Sequence, residues 1–163
     1  AQDDQLAFLP TLASAYEPGD TDFAWTRLTP WRQQLASVLD QPPFEQITAA
    51  EVQAADTSLS ARLLAAWLSL ALDIGVTFTP VPDRPGVGSI QCVTLARSSG
   101  DIVLERTDPG MARLVQPGQP THEISLVRRN LRDCLAEELR HLDPDEVYGK
   151  ILSDGMRLIV ERS

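Results

Sequence analysis

Four residues near the start of the chain have side chains that binding sites favour: Trp25, Arg27, Trp31 and Arg32, in DTDFAWTRLTPWR. Tryptophan and arginine supply much of the energy of protein–protein contacts. The same pair also packs inside folds, with a guanidinium laid over an indole. Both readings are open. The contact reading requires at least one of the four to be exposed, whereas burial of all four would make the segment structural. A second candidate is the basic cluster Arg128, Arg129 and Arg132. It falls just before and inside a predicted helix start, where unpaired backbone N–H groups attract anions. A sugar phosphate or a partner carboxylate could dock there; solvated charge balancing Glu137 and Glu138 is the ordinary alternative.

Other chemistry is sparse. There is no GxGxxG and no GxxxxGK[ST], so no dinucleotide or Walker-type phosphate fingerprint is present. His122-Glu123 has no second, suitably spaced histidine for a zinc-protease motif, and no GxSxG elbow places a serine nucleophile. His141 lies near a predicted helix end, where a cation suits the helix dipole. Cys92 and Cys134 make no CxxC and no disulfide framework. Each falls in an apolar pattern, and a buried free cysteine behaves as a small hydrophobe. No catalytic residue, metal site or cofactor is assigned from these residues.

Composition narrows the partners. The 163 residues carry a net charge of −9, which argues against nonspecific nucleic-acid binding and against attraction to an anionic membrane. Such a surface suits a partner with a basic patch, or simple solubility. The longest apolar run, Leu63 to Leu72, is about half of the ~20 residues a membrane span needs. Two cysteines without a framework point to a reduced, cytoplasmic setting. Hydrophobic content of 43% is enough for a core.

The elements that would position these residues can be read in order. Residues 1–19 form a lead-in, interrupted by Pro10 and the Glu17-Pro18-Gly19-Asp20 turn. Asp22 to Leu28 makes a short helical turn or an extended lead-in. Thr29-Pro30 reads as an N-cap with proline at the first helical position, opening a helix that stops at Gln41-Pro42-Pro43. Phe44 to Ala55 is predicted as a strand, Leu59 to Leu72 as the main helix and Val76 to Val81 as a strand, together a β–helix–β unit. In that helix Leu59, Leu63, Ala66, Trp67, Leu70 and Ile74 form the inward stripe, widened by Leu64, Leu68 and Leu72. Pro82 to Gly88 is a connection expected to be mobile.

A meander follows, with strands at Ser89–Arg97, Asp101–Arg106, Met111–Val115 and Thr121–Val127. Its turns are Ser98-Ser99-Gly100, Asp108-Pro109-Gly110 and Pro117-Gly118-Gln119-Pro120. Two helices are expected from Asn130 and from Asp143-Pro144, then a final edge strand or tail over Met156–Val160. The whole reads as one α+β domain over residues 20–163: a mixed, mostly antiparallel sheet with helices mainly on one face.

DTDFAWTRLTPWR, LDQPPFE, SGDIVLERTD, VQPGQP and RNLRDCLAEELRHLDPDEVYGKIL occur in this order. Together they resemble the OpcA family, the glucose-6-phosphate dehydrogenase assembly proteins of actinobacteria and cyanobacteria. The likeness runs from about Tyr16 to Leu152 and is nearer the actinobacterial members. It implies a non-catalytic subunit that assembles or activates glucose-6-phosphate dehydrogenase, with Trp25, Arg27, Trp31 and Arg32 as residues to test for the contact. It also implies that this stretch is the C-terminal half of a longer protein; a start at Ala1-Gln2 fits a fragment. Thiol-based control of the dehydrogenase is associated with the cyanobacterial relatives. Neither Cys92 nor Cys134 aligns with such a switch, so a redox role for them is the lesser alternative to packing as buried free cysteines.

Overall fold

A computed structural model of the chain describes residues 23–127, 132, 148, 151, 152, 154 and 159–161. The segment that opens it is helical in two pieces, α1 (Phe23–Thr26) and α2 (Thr29–Leu39). Thr29 is not the N-cap of α2. Leu28 holds that position in a helical conformation, and the Leu28 N–H already bonds the Trp25 carbonyl at 3.0 Å. The residue before α2 is therefore not in the extended conformation that a side-chain cap requires. The Thr29 hydroxyl instead accepts from Arg32 Nη2 at 3.3 Å. Pro30 sits in the first turn, where its missing N–H costs nothing.

The strand expected over Phe44–Ala55 is shorter: β1 covers Ala49–Ala54. Residues 44–48 are instead irregular, held by the Thr48 N–H on the Ala96 carbonyl at 2.8 Å. α3 runs Leu59–Leu72 as its apolar pattern predicts. Ser58 caps it by accepting from the Ala61 N–H at 3.1 Å, and Asp73 ends it in the left-handed region at φ 53°. Its inward face differs from the expected stripe. Ala61, Leu63, Leu64, Ala65, Ala66 and Leu68 are buried, whereas Leu59, Trp67, Leu70 and Leu72 are half-buried. The small Ala61, Ala65 and Ala66 are fully buried, whereas the bulkier Trp67 keeps part of its surface exposed.

The remaining strands are β2 (Val76–Pro80), β3 (Ile90–Ala96), β4 (Ile102–Asp108), β5 (Gly110–Val115), β6 (His122–Leu126) and β7 (Ile159–Glu161). The sheet order is β6-β5-β4-β3-β1-β2-β7. β1 and β2 pair in parallel across the α3 crossover, and β7 adds to β2 in parallel at the edge. The ladders from β1 through β3, β4, β5 and β6 are all antiparallel. The architecture is the expected α+β one, a mixed and mostly antiparallel sheet. Gly110 carries φ +81°, the left-handed residue that the β4–β5 turn requires.

Alternation sets the core. Ala50, Val52, Ala54, Val76, Phe78, Val93, Leu95, Ile102, Leu104, Ala112, Leu114 and Leu126 are buried, and they join α2 and α3 side chains in one cluster. Each fully buried Leu or Phe here contributes about 1.5–3 kcal/mol. The other sheet face carries Glu51, Gln53, Thr77, Thr79, Thr94 and Glu105 and is only partly covered, as an antiparallel sheet allows.

Candidate functional site

The alternation that buries apolar residues also carries two arginines inward. On β3 it runs Val93, Leu95, then Arg97; on β4 it runs Ile102, Leu104, then Arg106. Arg106 is 4% exposed. Its Nη1 donates to the Leu126 carbonyl at 2.9 Å, which ties β4 to the end of β6. Its guanidinium carbon stands 5.4 Å from the centre of the Trp31 ring. Gly88, at φ +127°, lies against it, and a Cβ there would come within 3.3 Å of Arg106 Nε. Glycine is needed at that point both for its backbone angle and for the room it leaves the guanidinium.

Around this arginine a pocket of about 70 Å³ opens to the surface. Leu28, Trp31, Ile90 and Val127 give it apolar walls; Arg27, Arg106, Ser60 and the Gly88-Ser89 corner give it polar ones. No histidine or carboxylate is among the described residues that line it. The connection expected to be mobile forms part of this corner and is anchored. Arg84 donates to the carbonyls of Arg106 and Thr107, both at 3.4 Å, and Gln91 Nε2 donates to the Pro82 carbonyl at 2.6 Å.

The four Trp/Arg residues are split by this arrangement. Trp25 and Trp31 are core residues, 4% and 3% exposed. Trp25 stacks on Tyr148 with ring centres 5.5 Å apart, and the Arg32 guanidinium carbon is 3.8 Å from the Trp25 ring centre. Arg32 is half-buried as a result, while Arg27 is exposed at the mouth of the pocket. Of the basic cluster, Arg132 is helical and exposed; Arg128 and Arg129 lie outside the described residues.

A second surface feature has no counterpart in the sequence pattern, which puts Phe44 in a strand. Phe44 is 77% exposed, in the loop between α2 and β1. That loop is held from beneath. Arg97, 7% exposed, donates from Nη1 to the Pro43 carbonyl at 3.4 Å and places Nε 3.7 Å from Glu45 Oε2. Ser98 Oγ donates to Glu45 Oε1 at 3.1 Å, and the Ser99 hydroxyl and N–H both donate to Oε2. The Ser99 hydroxyl bond, with Ser98 and Arg97 adding, draws the Glu45 carboxyl below its usual range against a partial desolvation.

Cys92 lies on the partly covered face, in register with Gln53 and Glu105. Burial pushes its thiol above the ordinary value; the Thr94 hydroxyl, 3.9 Å away, opposes this, and the Glu105 and Glu51 carboxylates reinforce it. Such a thiol is protonated at neutral pH and is a poor nucleophile. Cys134 lies outside the described residues. Among the described residues there is no group of three His, Cys, Asp or Glu side chains suited to a metal ion, and no helix long and apolar enough to cross a membrane.

The framework of this site is matched by a known family. A family model described as the C-terminal domain of the glucose-6-phosphate dehydrogenase subunit matches residues 18–152. The chain belongs to this family. The match takes in α1, α2, the sheet from β1 to β6 and the helical residues Tyr148, Ile151 and Leu152. Both the pocket and the Phe44 loop are therefore parts of the family's domain itself. Neither the curated proteins nor the solved structures give a match to the chain.

Proposed function

We propose that this domain is the docking part of a non-catalytic subunit that assembles or allosterically activates glucose-6-phosphate dehydrogenase, in the cytoplasmic oxidative pentose phosphate pathway of an actinobacterium-like cell. The family match over residues 18–152 carries this reading. The absence of a dinucleotide fingerprint from the sequence supports a role beside the dehydrogenase rather than as it. So does a pocket whose described lining offers cations and hydroxyls but no acid–base pair.

The contact surface in this proposal is led by Phe44 and Arg27. Both are exposed, and aromatic and arginine side chains anchor interfaces. Phe44 is mounted on a loop already fixed by Arg97 and Glu45, so little ordering entropy is lost on docking. Trp25, Trp31 and Arg32 act from behind, by holding α1 and α2 in place.

The test is a titration of purified glucose-6-phosphate dehydrogenase from the same source with this chain. Light scattering follows binding, and the apparent affinity for substrate follows activation. Binding with altered kinetics is expected. No binding, under conditions in which a longer protein that includes this domain binds, would move the contact elsewhere. Failure of the longer protein as well would remove the assignment.

A further inference from the structure

We infer that the free edge of β6 is an interface for a second copy of this chain, the two β6 strands pairing antiparallel about a two-fold axis at Ile124. The surface shares no residue with the Phe44 and Arg27 contact proposed above, and it does not depend on the role beside the dehydrogenase.

Three observations carry it. First, β6 ends the sheet, and among the described strands it pairs with β5 alone. An edge strand turns a row of backbone N–H and C=O groups away from its sheet, ready for another strand. Second, β6 lacks several of the devices that block such pairing. It contains no proline and no lysine. Its ladder with β5 keeps register over all five residues, whereas the β1–β3 and β4–β5 ladders each carry a shift. The bond from Arg106 to the Leu126 carbonyl fixes the far end of the strand. Third, apolar surface remains open beside this edge. Val115, at the end of β5, and Val127, directly after β6, are 37% and 60% exposed. Ile124, at the centre of the edge, is only partly buried against the core.

The strand's own sequence, HEISL, selects a second copy as the occupant. With the axis at Ile124 all five residues overlap. His122 then faces Leu126 of the second copy, Glu123 faces Ser125, and Ile124 faces Ile124. The isoleucine pair closes on the core side, and no carboxylate opposes another. Moving the axis to Glu123 would set two like charges opposite each other, which disfavours pairing. Moving it to Ser125 would leave only Ile124 to Leu126 overlapped. The edge is therefore self-complementary in one register, as a two-fold contact requires. A pairing this short buries less than the roughly 1,200 Å² of a standard interface, so a weak dimer is expected, with Kd of about 10 μM to 1 mM. The net charge of −9 on each copy opposes association, and added salt is expected to tighten it by screening.

The experiment is sedimentation equilibrium of the chain from about 10 μM to 1 mM, with amide NMR spectra over the same range. A monomer–dimer equilibrium is expected, with concentration-dependent shifts centred on Glu123, Ile124 and Ser125. Ser125 is exposed, and the two-fold register puts it opposite Glu123 of the second copy at two symmetric places. Ser125→Lys is therefore expected to tighten the dimer about threefold or more, and Ser125→Glu to weaken it by about as much. Ser37→Lys and Ser37→Glu, exposed on α2, make the same charge changes away from the edge and are expected to change little. A chain that stays monomeric up to about 1 mM would overturn the interface. So would shifts that centre elsewhere, or Ser125 variants that move the association no more than their Ser37 counterparts.

Discussion

Trp25 and Tyr148 stack with ring centres 5.5 Å apart and planes 21° from parallel, which joins the first helical turn of the domain to its last helical part. The Arg32 guanidinium carbon, 3.8 Å from the centre of the same Trp25 ring, ties that contact back to α2. Trp25 thus links three segments. Trp25→Ala and Trp31→Ala are each expected to lower unfolding free energy by about 3–5 kcal/mol, the usual cost of deleting a buried aromatic. Arg27→Ala is expected to stay within about 0.5 kcal/mol of the parent, as exposed substitutions do. Urea unfolding followed by tryptophan fluorescence separates the cases. A cost under about 1 kcal/mol at either tryptophan would show that the segment is not the anchor its burial implies.

The Glu45 carboxylate gives the fold a pH dependence of known sign. Its folded value is drawn down by the Ser99 hydroxyl first, then Ser98 and Arg97. A depressed carboxylate contributes stability above its unfolded value, near about 4.3, and that contribution is lost as pH falls through the folded value. The parent is therefore expected to melt above Glu45→Gln at about pH 7, and the gap is expected to close once pH falls below about 4. Thermal melts of both proteins from neutral pH down to about pH 3 provide the check. A gap independent of pH would assign the effect to shape rather than charge.

How much of this is legible in the sequence differs by element. α3 and the meander strands are readable because their signals are local: an unbroken apolar pattern, and turns punctuated by Asp108-Pro109-Gly110 and Ser98-Ser99-Gly100. The short β1 is not, because Ile47 extends the apolar pattern while its backbone is not paired as strand. The buried arginines are half-legible. Ile102 and Leu104 fall on one face, and extending their alternation by two residues puts Arg106 on it as well. The charge of arginine argues against that step until the Leu126 carbonyl and the Trp31 ring are seen to receive it. The stack of Trp25 on Tyr148 has no sequence signal, since nothing local records a pairing between the two ends of a domain.

The Cys92 thiol is expected to resist modification. Burial and the nearby Glu105 and Glu51 carboxylates hold its proton above the ordinary range. In a Cys134→Ser background, which isolates Cys92, iodoacetamide is expected to react much more slowly at about pH 7.5 than with a free thiol of pKa about 8.5. Glu105→Gln is expected to speed the reaction by removing a like charge. Mass spectrometry of timed samples gives the rates. Reaction faster than the free thiol would favour a redox role for Cys92.

Phe44 offers the sharpest separation of contact from stability. Its ring is 77% exposed, so Phe44→Ser leaves the described core untouched and is expected to change unfolding free energy by less than about 0.5 kcal/mol. If the ring anchors the dehydrogenase, the same substitution weakens binding by about 2 kcal/mol or more, the range of an interface hot spot. Arg97→Ala is the informative partner. It removes the support of the Pro43 carbonyl and of Glu45, and so it should loosen the loop while Phe44 itself remains. The expected order of dehydrogenase affinity is the parent, then Arg97→Ala, then Phe44→Ser, measured by calorimetric titration with folding checked by circular dichroism. Affinity unchanged in Phe44→Ser would remove this loop from the contact and leave Arg27 to lead it.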